Sequence, residues 1–140
     1  MRAFIAFAAL VAVAVAPQIA SAAAAGMAMS AKLAAPAGIT SSGTGTATLS
    51  LDPASKVLTY TVTYSGLTGP ATAAHIHAAA APGGNGRPVV PFANPASPIS
   101  GTVTLTDAQI ADLHNGLWYV NVHTAANGGG EIRGNIVMGN

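Results

Sequence analysis

Three histidines carry most of the chemistry this chain can offer. His75 and His77 flank Ile76. Alternate residues of a strand share a face, so both imidazoles point the same way. In the run Leu117 to His123, Tyr119, Asn121 and His123 share one face, and Trp118, Val120 and Val122 share the other. Beyond a Gly-rich turn, Glu131, Arg133 and Asn135 alternate with Ile132, Gly134 and Ile136. If that hairpin folds symmetrically about Asn127, His123 faces Glu131 and Asn121 faces Arg133, with Cβ atoms about 5 Å apart. A slip of a single residue would send one strand's set to the other face. His75 and His77 join the cluster if their strand neighbours this hairpin.

Such a cluster has the ingredients of a metal site. Neutral imidazole suits copper, zinc, nickel or iron. His75, His77 and His123 are the candidate ligands, with copper favoured and zinc the alternative. Glu131 would orient a histidine through its second ring nitrogen. Asn121 and Arg133 would stand just outside the ligands, Arg133 as a positive group able to attract an anion. The competing reading is a hydrogen-bonded polar ladder that stabilises the hairpin, with His123 and Glu131 as a weak ion pair. His114 precedes Gly116 on a short helix and suits the helix C-terminus better than this face. Met27 and Met29 are soft enough for Cu(I), but their Ala- and Ser-rich context reads as a leader. The chain has no cysteine, which removes thiolate ligands, disulfides and thiol redox chemistry. No Ser-His-Asp or Cys-His arrangement is visible, so the reading leans against an enzyme.

The elements that must position these residues read as strands. Thr46 to Leu51 is a short β-rich run, and Asp52-Pro53-Ala54-Ser55 is a turn. Val57 to Ser65, VLTYTVTYS, alternates cleanly. Leu58, Tyr60, Val62 and Tyr64 face the core, and Thr59, Thr61 and Thr63 face solvent. Thr72 to Ala78 follows. Residues 79–98 are rich in Gly and Pro and read as a long loop with at most a short strand at Val89-Val90, either functional or a plain crossover. Gly101 to Leu105 is the next strand. Thr106 to Gln109 forms a capping box ahead of one short helix near 107–115, stopped at Gly116. Leu117 to His123 and Glu131 to Met138 close the chain as a hairpin. The fold class is therefore all-β, an antiparallel β-sandwich or small Greek-key barrel with one short helix.

The start of the chain reads as an export signal. Arg2 precedes an uncharged apolar run from Ala3 to Val15, then Pro17 and the small-x-small triplet Ala20-Ser21-Ala22. This is the layout of a secretory signal peptide over 1–22. The run is shorter than the roughly 20 residues a membrane helix needs. Residues 23–42 read as a flexible leader and 43–140 as the folded domain. After cleavage, Lys32, Lys56, Arg87 and Arg133 balance Asp52, Asp107, Asp112 and Glu131. A near-neutral domain lacks the basic patch that nucleic acid or charged lipid would require. No membrane span is expected after cleavage, and the location is secreted or periplasmic.

Two stretches, GTATLSLDPASKVLTYTVTYSGLTGPATAAHIHAAAAPGGNG and SPISGTVTLTDAQIADLHNGLWYVNVHTAANGGGEIRGNI, together resemble the CHRD (chordin) domain family. The resemblance covers about residues 43–137. It rests on HIH, WYVNVHT and GGEIRG in this order, and HIHA here stands where the family more usually has HIHG. It implies an all-β extracellular module of the bacterial exported type with no established enzymatic activity. More distantly, the order of His75, His77, His123 and Arg133 is similar to that in the copper/zinc superoxide dismutase sandwich. The only histidine between His77 and His123 is His114, so no bridging histidine or zinc cluster is visible. That likeness leaves copper binding open and lends dismutase activity no support. Three roles follow as expectations: a metal-binding exported module; a non-enzymatic structural or interaction module binding a protein or polymer of the envelope or extracellular space; or a small enzyme such as a dismutase, which only the histidine face supports.

Overall fold

The structure, a computed structural model, describes residues 26–139. Residues 1–22, which the sequence leads one to expect as a signal peptide, lie outside the described residues. The strands are β1 Met27–Ala34, β2 Thr44–Leu51, β3 Val57–Ser65, β4 Ala71–Ala79, β5 Gly86–Pro91, β6 Ile99–Thr104, β7 Trp118–Thr124, β8 Ile132–Asn135 and β9 Val137–Met138. The helix α1 spans Asp107–His114. All pairings are antiparallel, in the order β5-β4-β7-β8-β1-β2-β3-β6, with β9 beside β1. The result is a nearly closed barrel-like sandwich with one short helix, as the sequence patterning predicts.

Alternation builds the core. Leu58, Tyr60 and Val62 of β3 are buried, and Thr59, Thr61 and Thr63 are exposed. Ala74 and Ile76 of β4, and Trp118, Val120 and Val122 of β7, face inward. They pack with Met29, Leu33, Leu49 and Ile132 in one cluster. The capping box is present: Thr106 Oγ1 accepts from the Gln109 N–H, and the Gln109 side chain accepts from the Thr106 N–H. Gly116 ends the helix at φ 72°, a left-handed conformation that glycine adopts without steric cost.

Two expectations about the elements are corrected. Residues 27–34 are not a flexible leader but a strand inside the sheet, paired with β2 from Met27↔Leu51 to Ala34↔Thr44. Met29, Ala31 and Leu33 point into the core, with Met29 fully buried. The period-2 pattern is real, but it is written in Met, Ala, Ser and Lys, which carry little β signal of their own. Residues 79–98 are also less loop than expected. Gly86–Pro91 forms β5 and pairs with β4, with a register shift between Ile76 and His77. Its prolines are tolerated because β5 is an edge strand.

Candidate metal centre

Strand pairing sets the histidines side by side. β4 and β7 are neighbours, with His77↔Tyr119, His75↔Asn121 and Ala73↔His123 in register. β8 continues each row, with Asn121↔Arg133 and Tyr119↔Asn135. The outward face of β4, β7 and β8 therefore carries His75, His77, Tyr119, Asn121, His123 and Arg133 together. This face is only partly open to solvent: His77, Tyr119 and Asn121 are buried, and His75, His123 and Arg133 are half-buried. Two glycine turns cover it, one closing β4 to β5 and the other closing β7 to β8.

The three imidazoles converge. One ring nitrogen from each of His75, His77 and His123 lies within 4.8 Å of the other two. His75 Nδ1 and His123 Nε2 are 3.3 Å apart. Two nitrogens bound tetrahedrally to one ion at about 2.0–2.1 Å would stand roughly 3.3 Å apart, so that pair already has the spacing.

Hydrogen bonds fix which nitrogens are free. His77 Nδ1 lies 2.9 Å from the Gly86 carbonyl, and His123 Nδ1 lies 3.0 Å from the Gly128 carbonyl. A carbonyl only accepts, so in each neutral ring Nδ1 holds the proton and Nε2 keeps its lone pair. His77 Nε2 is buried and has no hydrogen-bond partner. An unpaired buried acceptor is costly, and a native structure that keeps one calls for an explanation. Burial holds the His75 ring below the usual histidine range, reinforced by His123 and His77. Burial does the same at His77, where the Gly86 bond opposes it and the His123 and Arg133 charges add to it. Both rings are thereby biased toward the neutral, metal-competent form.

Asn121 and Arg133 stand beside the triad. Asn121 Nδ2 donates to the Gly129 carbonyl at 3.3 Å, which leaves its buried Oδ1 without a partner. Arg133 donates to Asn85 Oδ1 at 2.6 Å and to the Gly84 carbonyl at 2.8 Å.

Glu131 does not orient a histidine. β8 begins only at Ile132, after Gly130 turns the chain at φ 122°, so the His123/Glu131 pair does not form. The Glu131 carboxylate lies fully buried on the other side of the hairpin. It accepts from Ser41 Oγ at 2.6 Å, from the Thr68 N–H and hydroxyl at 2.8 and 2.7 Å, and from Thr124 and Asn127. Burial alone would raise its pKa, but hydrogen bonds from Ser41, Thr124 and Thr68 outweigh burial and lower it to about 2. Glu131 ties three loops together and is a structural group.

Gly86 and Gly128 also belong to the site, because their carbonyls hold two of the rings. Asn85-Gly86 and Gly128-Gly129-Gly130 were visible as turn signals, but nothing in a turn signal says where a carbonyl will point. His114 lies exposed at the end of α1, apart from the triad.

The family model for the CHRD domain matches residues 21–136. The match spans most of the chain, and this protein belongs to the CHRD-domain family. No curated protein and no solved structure matches it.

Proposed function

We propose that this chain is an exported CHRD module that binds one transition-metal ion, with copper favoured, through His75, His77 and His123. The carrying observation is His77 Nε2, a buried lone pair without a partner in a ring whose other nitrogen is held by a backbone carbonyl. A cation supplies what that nitrogen lacks, and the other two imidazoles lie within reach of the same point. Cu(II) heads the affinity order of the divalent first-row metals at nitrogen sites, with Zn(II) behind it. Export rests on the charged start and apolar run of the sequence. Cleavage after Ala22 would leave β1, which begins at Met27, intact.

Isothermal titration of the protein lacking residues 1–22 with Cu(II) and Zn(II) tests the site. One equivalent should bind, and binding should vanish in His75→Ala/His77→Ala/His123→Ala. Unchanged binding in that variant sinks the assignment. N-terminal sequencing of the protein recovered from periplasm or medium tests export. Failure of both metals to bind would instead favour the non-enzymatic structural or interaction module, for which residues 79–98 and the outer edges of β5 and β6, unpaired among the described residues, are the available surfaces. A null superoxide assay on the copper-loaded protein would dispose of a dismutase.

A further inference from the structure

His77 needs to be held in one tautomer if its Nε2 is to serve as a ligand. In water the Nε2–H form of a neutral histidine is ordinarily the more populated one, and that form would block this site. The Gly86 carbonyl imposes the opposite choice by accepting from Nδ1. What fixes Gly86 is therefore part of the site.

Tyr119 fixes it. The Tyr119 hydroxyl accepts from the Gly86 N–H at 3.0 Å and donates to the Gly86 carbonyl at 3.2 Å. The two lone pairs of that carbonyl are thus taken by Tyr119 and His77. The Tyr119 ring is also the strand partner of His77 and stacks on its imidazole at 4.9 Å and 20°. The Arg133 guanidinium lies over the Tyr119 ring at 3.7 Å, and the same guanidinium donates to Gly84 and Asn85. Two side chains from β7 and β8 therefore grip three successive residues of the turn that closes β4 to β5. Gly86 itself has no room for a side chain, since a Cβ there would meet the Ala78 backbone.

We propose that Tyr119 is a positioning residue that sets His77 in the Nδ1–H tautomer through Gly86, with Arg133 as the clasp that holds the turn. The purpose of this arrangement rests on the metal-binding reading, but the tautomer itself is a property of the metal-free protein. Groups that orient metal-binding histidines typically change affinity by about 10–100-fold when removed. The ring packing of Tyr119 is a separate contribution, which Tyr119→Phe retains while losing the hydroxyl.

The experiment is NMR of the metal-free, signal-less protein carrying ¹⁵N-labelled histidine above neutral pH, followed by Cu(II) and Zn(II) titration. Wild type should show His77 as the Nδ1–H form, and Tyr119→Phe should shift it toward Nε2–H. Where wild type binds metal, Tyr119→Phe should bind about tenfold or more weakly and give an altered Cu(II) EPR spectrum. If Tyr119→Phe fails to fold, Arg133→Gln carries the test and should produce the same shift to a smaller extent. An unshifted His77 tautomer in the folded variant overturns the proposal. So does metal affinity within about twofold of wild type, because orienting groups act at tenfold or more. Absence of metal binding in wild type, with the tautomer shift intact, would overturn the metal reading and leave the positioning role standing.

Discussion

His75 and His123 meet nitrogen to nitrogen at 3.3 Å although they are not strand partners. In the ladder His75 is paired with Asn121 and His123 with Ala73, so the two rings reach each other along a diagonal. Diagonal neighbours on adjacent strands lie about 7–8 Å apart at Cα, within reach of long or aromatic side chains. His123 Nδ1 is held by the Gly128 carbonyl, so His123 Nε2 is the acceptor of the pair and His75 Nδ1 the donor. A cation that takes both nitrogens requires the His75 proton to move from Nδ1 to Nε2 of the same ring. The apo hydrogen bond and the proposed metal site are thus alternative uses of the same two atoms.

The strand at residues 27–34 makes the first prediction. β1 lies between β8 and β2 in the sheet, and Met29 is fully buried there. Met29→Ala should cost about 2–5 kcal/mol, read as a lower urea midpoint with an unchanged m-value. Removing residues 26–34 should abolish cooperative unfolding altogether. A truncated protein with the wild-type transition would return this segment to the status of a leader.

Much of this architecture is legible in the sequence, and the failures have particular causes. The faces of β3, β4 and β7 follow from parity, and the Asn121↔Arg133 pairing follows from symmetry about Asn127. The same symmetry fails one step nearer the turn. Gly130 adopts a conformation that ends the ladder, and Glu131 turns to the Thr124 side instead of the His123 side. β1 is hidden by its composition and β5 by its prolines. That β4 lies beside β7 is a tertiary fact that no local pattern contains. The grip of Tyr119 on Gly86 is equally invisible, because one partner is backbone.

Glu131 predicts a pH dependence. Its folded pKa is lowered from 4.5 to about 2. A carboxyl depressed on folding contributes stability that is fully present above its unfolded pKa and is lost as pH falls through the folded value. Stability should therefore decline between about pH 4.5 and pH 2. Glu131→Gln should have a lower Tm at neutral pH and a flatter profile across that window. Thermal melts from pH 2 to pH 7 provide the check, and parallel profiles for the two proteins would remove Glu131 as the cause.

Two glycines should respond oppositely to the same change. A Cβ on Gly134 would lie 2.0 Å from the Lys32 carbonyl oxygen, a backbone atom where β8 runs close to β1. It cannot yield without opening the sheet, so Gly134→Ala should cost about 3 kcal/mol. A Cβ on Gly128 would meet nothing within 4 Å, and Gly128→Ala should stay within about 0.5 kcal/mol of wild type. Equal denaturation midpoints for the two variants would contradict the close approach of β8 and β1.

Metal binding must also appear as stability. A ligand that binds only the folded chain adds about 2.7 kcal/mol at a free concentration of one hundred times Kd. For a domain of this size that corresponds to a rise in Tm of about 10 °C. The site joins residues from β4 and β7, and so links segments that separate on unfolding. An unfolded chain with isolated histidines offers no comparable triad, although weak binding to it would reduce the gain. Scanning calorimetry with saturating Cu(II) should show the shift in wild type and none in His75→Ala/His77→Ala/His123→Ala. His114→Ala should keep it, since His114 is exposed on α1 and outside the triad. A shift that survives the triple substitution would place the metal elsewhere on the protein. A shift lost with His114 would mean that α1 contributes a ligand.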